Sequence, residues 1–381
     1  MRSFVPLIGC LVWVSGCGET APPGPASWSY ADSAGLRVIE IPLHTADTAK
    51  IEKLRDFAEP TGGFGFVHDA SVGAEGIAVI DRQSDGLVWY DRAGRVRSQM
   101  GRAGDGPGEF RTAEKVEVFP ACIVVFDRRR HRFIRFDHAG AFFGESPADP
   151  GWRYAAPSCD TSSQVGARSI DDGVARRVGG DATIHGTVVR VERQTPEDTT
   201  FLWSGAGTES LEYGTMSVGS PLVTLPSFAI DARRIGFTSG QIPELMIWAG
   251  TGERTLVRFV GWDATVPDRL WDSLATWYLE RGDARSAPIF EILFDERARP
   301  DWRPFAGTVQ LSDDGGIWLQ EAGPNRKVGP RAYHLDLAQE SFTTFLVPAK
   351  ARLLDAVGDT VLLRLESDLG VHTLAQYQLR R

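Results

Sequence analysis

The chain has 381 residues, 42% of them hydrophobic, and 41 Lys and Arg against 50 Asp and Glu give a formal net charge of -9. That apolar content suffices for one large closed architecture or two domains. The acidic balance argues against a nucleic-acid partner, and after the first few residues no segment is apolar enough to span a bilayer.

In chain order the first element is a leader. Met1-Arg2-Ser3 is a positive start, and residues 4–14 form an apolar stretch that suits a signal peptide and is too short for a spanning helix. It ends in Val14-Ser15-Gly16-Cys17, which resembles the bacterial lipoprotein lipobox. The resemblance makes residues 1–16 the signal peptide and Cys17 the lipid attachment site; the alternative is ordinary cleavage near a chance Cys. Gly18 in place of Asp implies the outer membrane by the same resemblance. Acyl chains contribute about 0.8 kcal/mol per buried methylene, enough to hold a protein on a membrane without a spanning helix. Residues 17–27 are a Pro-rich tether that cannot form a core, and residues 28–381 are the expected folded part. Of four cysteines, Cys10 and Cys17 belong to the export segment. Cys122 and Cys159 remain as a pair in an oxidising compartment, either bonded or as two buried thiols.

Residues 36–41 alternate as a strand and are expected to complete the last blade of a ring. The stretch 76–140 then repeats itself. Gly76-Ile77-Ala78-Val79-Ile80-Asp81 leads to Asp91-Arg92-Ala93-Gly94, and Cys122-Ile123-Val124-Val125-Phe126-Asp127 leads to Asp137-His138-Ala139-Gly140. Asp81 and Asp127, Asp91 and Asp137, and Gly94 and Gly140 are each 46 residues apart. A period of this size, filled with short apolar runs, points to propeller blades. Within one copy, residues 77–80 and 87–90 read as strands, with Asp85-Gly86 as the turn between them. A lone meander of this size is unstable, and radial packing covers its faces.

Blade one is expected over 65–100 and blade two over 110–143. Blade three is blurred, with strands at 167–178, 187–192 and 200–203. Blade four is read at 235–252, where the spacing of turns matches blade one. Residues 265–297 break the pattern. Leu270, Trp271, Leu274, Trp277 and Tyr278 share one helix face, with a capping box from Thr265 and a stop at Gly282. A second short helix is read at 289–294. Burial of this insertion against the blades is the commoner fate, a partner-binding Trp face the rarer one. Blade five runs through 305–347. Strands at 353–354, 361–365 and 371–379 make blade six, whose missing strand is 36–41.

Gly101-Arg102-Ala103-Gly104-Asp105-Gly106-Pro107-Gly108-Glu109-Phe110 resembles the interblade connector of the NHL-like six-bladed β-propeller family, which includes many bacterial lipoproteins of unassigned role. The resemblance extends over nearly the whole mature chain and implies an all-β, six-bladed β-propeller closed by an N-terminal strand, with a short helical insertion between blades four and five. It implies fold more firmly than function.

The chemistry is sparse. The Gly101 loop has no Gly-Lys-Ser/Thr ending and is read as a connector rather than a phosphate cradle. Arg128-Arg129-Arg130-His131-Arg132, with Arg135 beyond, is read as a solvated hairpin tip, with an anion-binding patch as the alternative. Of the seven histidines (44, 68, 131, 138, 185, 334 and 372), only His68, followed by Asp69, falls where a first strand would line a central channel. No catalytic residue, metal ligand or cofactor is assigned. The expected role is a non-enzymatic, lipid-anchored, monomeric propeller that binds an unknown protein or glycan. The rival is a lactonase-like hydrolase or lyase with a channel metal, which three or more converging Asp, Glu, Asn or His side chains would favour.

Overall fold

The computed structural model describes residues 27–381 apart from 84–85, 180–181, 214, 220–221, 223–225, 232, 284–285, 296–297, 301–302 and 323–328. The leader 1–16, Cys17 and the tether up to residue 26 lie outside the described residues, as does Asp85 of the first hairpin turn. Strand makes up 55% and helix 7% of the described residues, so the fold class is all-β.

An N-terminal arm of four strands, β1 (Ser29–Ser33), β2 (Leu36–Pro42), β3 (Asp47–Thr48) and β4 (Lys50–Asp56), precedes the body. Among the described residues the body forms six sheets, numbered here I to VI in chain order. Sheet I holds Val67–Val72, Ile77–Asp81, Gly86–Tyr90 and Val96–Met100; sheet II holds Ala113–Val118, Ile123–Asp127, Arg132–Phe136 and Phe142–Pro147. Sheet III has Tyr154–Ala156, Gln164–Gly179, Ala182–Gln194, Thr199–Tyr213 and Met216–Gly219. Sheet IV has Ser227–Ile230, Arg234–Thr238, Glu244–Ala249 and Arg254–Val260; sheet V has Ala306–Leu311, Gly316–Glu321, Arg331–Asp336 and Ser341–Leu346. Sheet VI contributes Arg352–Val357, Thr360–Glu366 and His372–Arg380.

The second and third strands of sheets I and II are buried almost throughout because each sheet is covered on both faces. Ile80 and Trp89 of sheet I pack with Val116 and Ile134 of sheet II, while Val79, Val88 and Tyr90 on the other face pack with Leu354, Leu362 and Leu374 of sheet VI. Shared cores likewise join II to III, III to IV, IV to V and V to VI. The sulfurs of Cys122 and Cys159 form a disulfide that ties sheet II to the loop following the first strand of sheet III.

The repeated aspartates have one job in both copies. Asp81 accepts the N–H groups of Gly65 and Phe66 at 3.0 and 2.7 Å; Asp127 accepts those of Arg111 and Thr112 at 3.0 and 3.1 Å. Each clamps the loop that enters its sheet. Asp91 and Asp137 accept N–H groups two and four residues on, and Gly94 and Gly140 take the positive φ (80° and 92°) that these turns require.

Two expectations need correction. Residues 36–41 do not pair with 371–379: β2 pairs in parallel with Arg254–Val260 of sheet IV, and β4 pairs antiparallel with His372–Arg380. Ile39 and Ile41 of β2 are fully buried with Val257, Phe259 and Phe305, which claims that strand for sheet IV. β4 (Lys-Ile-Glu-Lys-Leu-Arg-Asp) is mostly exposed, and such a charged outer edge discourages further pairing. Nor does a capping box start the first helix. Helix α1 (Asp268–Arg281) has Pro267 at its N-cap without a side-chain bond, and the Thr265 N–H donates to Asp263 instead.

Helix α2 (Ala287–Leu293) follows, and both helices sit between sheets IV and V in sequence. Ile289 and Leu293 pack against Val178, Ile184 and Leu211, in the long outer parts of sheet III, while Trp271 is buried with Leu222, Val266 and Leu274. That partner explains why sheet III breaks the repeat. Its strands run past the common length to cover the helices.

Candidate functional site

The first strands of the sheets face one another, I with II, III with IV, IV with V, V with VI, and VI with I. Each has one edge unpaired by its own sheet, so its backbone N–H and C=O groups need other partners. Side chains of the neighbouring first strand supply them. Asp69 accepts the Val116 N–H at 2.9 Å, and Ser71 Oγ accepts the Val118 N–H at 3.0 Å. Asp355 accepts the Val72 N–H at 2.6 Å, and Gln310 donates to the Leu354 carbonyl.

Lys115 lies among these groups. Its Nζ is 3.1 Å from Glu117 and 3.5 Å from Asp69, and Glu117 also accepts from Ser71 Oγ at 3.0 Å. Burial pulls the Lys115 ammonium down, but the carboxylates of Asp69, Glu117 and Asp355 outweigh it and hold the pKa above the ordinary lysine value. Lys115 is therefore a fixed cation and not an amine nucleophile. Burial pushes Glu117 up, only partly offset by Lys115. Burial, then the charge of Glu117, pushes Asp355 up to about 8. One cation among three carboxylates leaves a surplus of negative charge, and Asp355 is the group that holds a proton at neutral pH.

A second cluster lies at the N-terminal ends of the same strands. Glu114 is 2.5 Å from Arg82, 3.3 Å from Arg128 and 3.4 Å from His68. Burial works against its charge, but His68, Arg82 and Arg128 together lower its pKa. The rings of His68 and His372 lie 6.3 and 5.0 Å from that of Phe66, and the Arg364 guanidinium sits 5.7 Å over it. His372 Nδ1 accepts the Val67 N–H at 3.0 Å, so its proton is on Nε2, and burial with Arg364 nearby lowers its pKa. Burial, then the proximity of Arg352, brings Arg364 down to about 10.

Of the residues singled out in the sequence, His68 does reach this cluster, with Asp69 one step deeper. The basic run mostly does not. Arg128 joins through Glu114, but Arg130 pairs with Asp105, Arg132 with Glu145 at 2.7 Å, and Arg135 donates to Ser146 and the Ser158 carbonyl. The glycine-rich connector is structural: Glu109 accepts from Arg102 and the Gly106 N–H at 2.6 and 2.8 Å, and Phe110 is buried between sheets I and II. Phe66, Glu114, Lys115, Glu117, Asp355, Arg364 and His372 were missed. A signal for some of them existed. His68 and Glu114, Asp69 and Lys115, Ser71 and Glu117, and Arg82 and Arg128 are each 46 residues apart, so equivalent positions of successive copies meet.

Three carboxylates do converge between the first strands, but on a lysine and on backbone N–H groups. Among the described residues no group of three or more His, Cys, Asp or Glu is arranged to hold a metal. A shallow cavity of about 480 Å³ lies apart from both clusters, between Trp28, Asp47 and Phe342 beside sheet V.

No family model and no curated relative matches the chain. Among solved structures, an exported protein from Bacteroides fragilis is similar at 10% identity and a TM-score of 0.50, covering 90% of this chain and 99% of that one. A member of the DUF4221 family from Bacteroides vulgatus gives 9% identity, 88% and 100% coverage and a TM-score of 0.49. A catalytically inactive virginiamycin B lyase from Staphylococcus aureus with quinupristin gives 11% identity, 87% and 100% coverage and 0.44. At such identity the first likeness speaks for fold alone: the chain is a propeller-like all-β protein.

Proposed function

We propose that this is an exported lipoprotein of the NHL-like propeller type, held on the outer membrane through Cys17. Its six sheets act as the blades of one closed ring, and the arginine-rich end of that ring binds a protein or glycan partner. The observation that carries the binding role is the use already made of the converging carboxylates. Asp69 and Asp355 tie neighbouring first strands together, and Lys115 pairs with Asp69 and Glu117 at the centre. A channel metal would have to displace an ammonium paired with Glu117 and Asp69. The connector stitched by Glu109 supports the family reading, and the core shared by sheets VI and I supports the ring.

The test is capture of partners from the native membrane by the lipidated protein and by an Arg82→Glu/Arg128→Glu variant, with metal analysis of both. The expected result is a partner held by the parent and lost from the variant. A stoichiometric metal ion together with metal-dependent hydrolysis would overturn the binding role in favour of the lactonase-like alternative.

A further inference from the structure

The cluster around Phe66 carries more positive charge than its surroundings balance. Four guanidiniums, those of Arg82, Arg128, Arg352 and Arg364, are met by two carboxylates, Glu114 and Glu366. This occurs in a chain of net charge -9. Asp81 is a third carboxylate nearby, keeping its charge while its oxygens accept the N–H groups of Gly65, Phe66 and Gln83, so one positive charge is left without a counterpart. The Nε–H groups of Arg82 and Arg364 are buried and have no acceptor among the described residues. Desolvated guanidinium donors without acceptors are costly, and an entering anion would satisfy them.

Beside these cations lies a flat apolar face. Phe66 is 39% exposed although it stands between two imidazoles and under Arg364. His372 offers Nε2–H, with Glu366 Oε2 3.8 Å from it. An aromatic platform, guanidiniums for a carboxylate, and carboxylate and imidazole groups for hydroxyls make up the chemistry that recognises an acidic sugar. We infer that this end of the molecule binds an acidic saccharide, its ring on Phe66 and its carboxylate between Arg82 and Arg364. The inference rests on the binding role proposed above and names the ligand class for it.

The test is calorimetric titration of the intact lipidated protein in detergent with digalacturonate, its methyl ester and inorganic phosphate. Saturable binding of digalacturonate is expected, at least tenfold tighter than that of the ester or of phosphate. Phe66→Ala and Arg364→Gln should each weaken it at least tenfold. Arg364 also donates to the Val67 carbonyl, so Arg128→Gln, at a side chain 42% exposed, provides a second charge variant that spares that contact. Absence of saturable binding, equal binding of ester or phosphate, or indifference to all three substitutions would overturn the inference. If digalacturonate fails while membrane capture still depends on Arg82 and Arg128, the saccharide falls and the binding role stands. If capture fails as well, both fall.

Discussion

Asp355 shows how position rather than residue type sets charge. Its carboxyl accepts the Val72 and Ala356 N–H groups, yet burial and the neighbouring Glu117 push its pKa from 3.8 up to about 8. The folded state therefore binds a proton between about pH 4 and 8 that the unfolded state releases. By linkage, stability from this group is highest at the acid end of that window and falls as pH rises through it. Asp355→Asn removes the titration, and its amide oxygen still accepts a hydrogen bond. Thermal unfolding at pH 5, 7 and 9 should show the parent losing stability relative to the variant as pH rises, by on the order of a few kcal/mol at pH 9. A difference that does not change with pH would mean that Asp355 is ionised throughout. The landmark aspartates, in contrast, were legible in the sequence because each bonds to backbone N–H groups within about 16 residues.

At the scale of elements, the N-terminal arm divides its work. β2 lies against sheet IV, β3 against sheet V and β4 against sheet VI, so one arm crosses three successive sheets. Proline removes a ladder hydrogen bond, which gives a direct test of this division. Ile51→Pro in β4 should speed amide exchange across 375–380 at least tenfold and leave 254–260 unchanged. Ile39→Pro in β2 should do the reverse. Exchange at 375–380 that responds to Ile39→Pro alone would restore the pairing read from sequence. The helical insertion was legible from its 3.6-residue period. Its packing partner was not, because sheet III is nearly a hundred residues earlier in the chain and its strands lack the repeat's landmarks.

For the whole molecule, the cores between successive sheets, including that between VI and I, make each sheet depend on two neighbours. The disulfide adds a covalent tie between II and III. Closing its 37-residue separation constrains the unfolded chain by roughly 3–4 kcal/mol in chain-entropy terms. The proposed attachment to a membrane is a separate matter and rests on residues 1–17. Cys17→Ser should move the protein from the membrane to the soluble fraction on cell fractionation, and unchanged retention would discredit the lipobox.

By itself the sequence determined the all-β class, the 46-residue metre, the turn residues and the helical insertion. All of these follow from alternation, periodicity and hydrogen bonds made within a few residues of chain. Only the tertiary structure decided which arm strand joins His372–Arg380, and which charged side chains meet between the first strands. Those pairings join residues more than 300 positions apart, a separation across which no local pattern carries information.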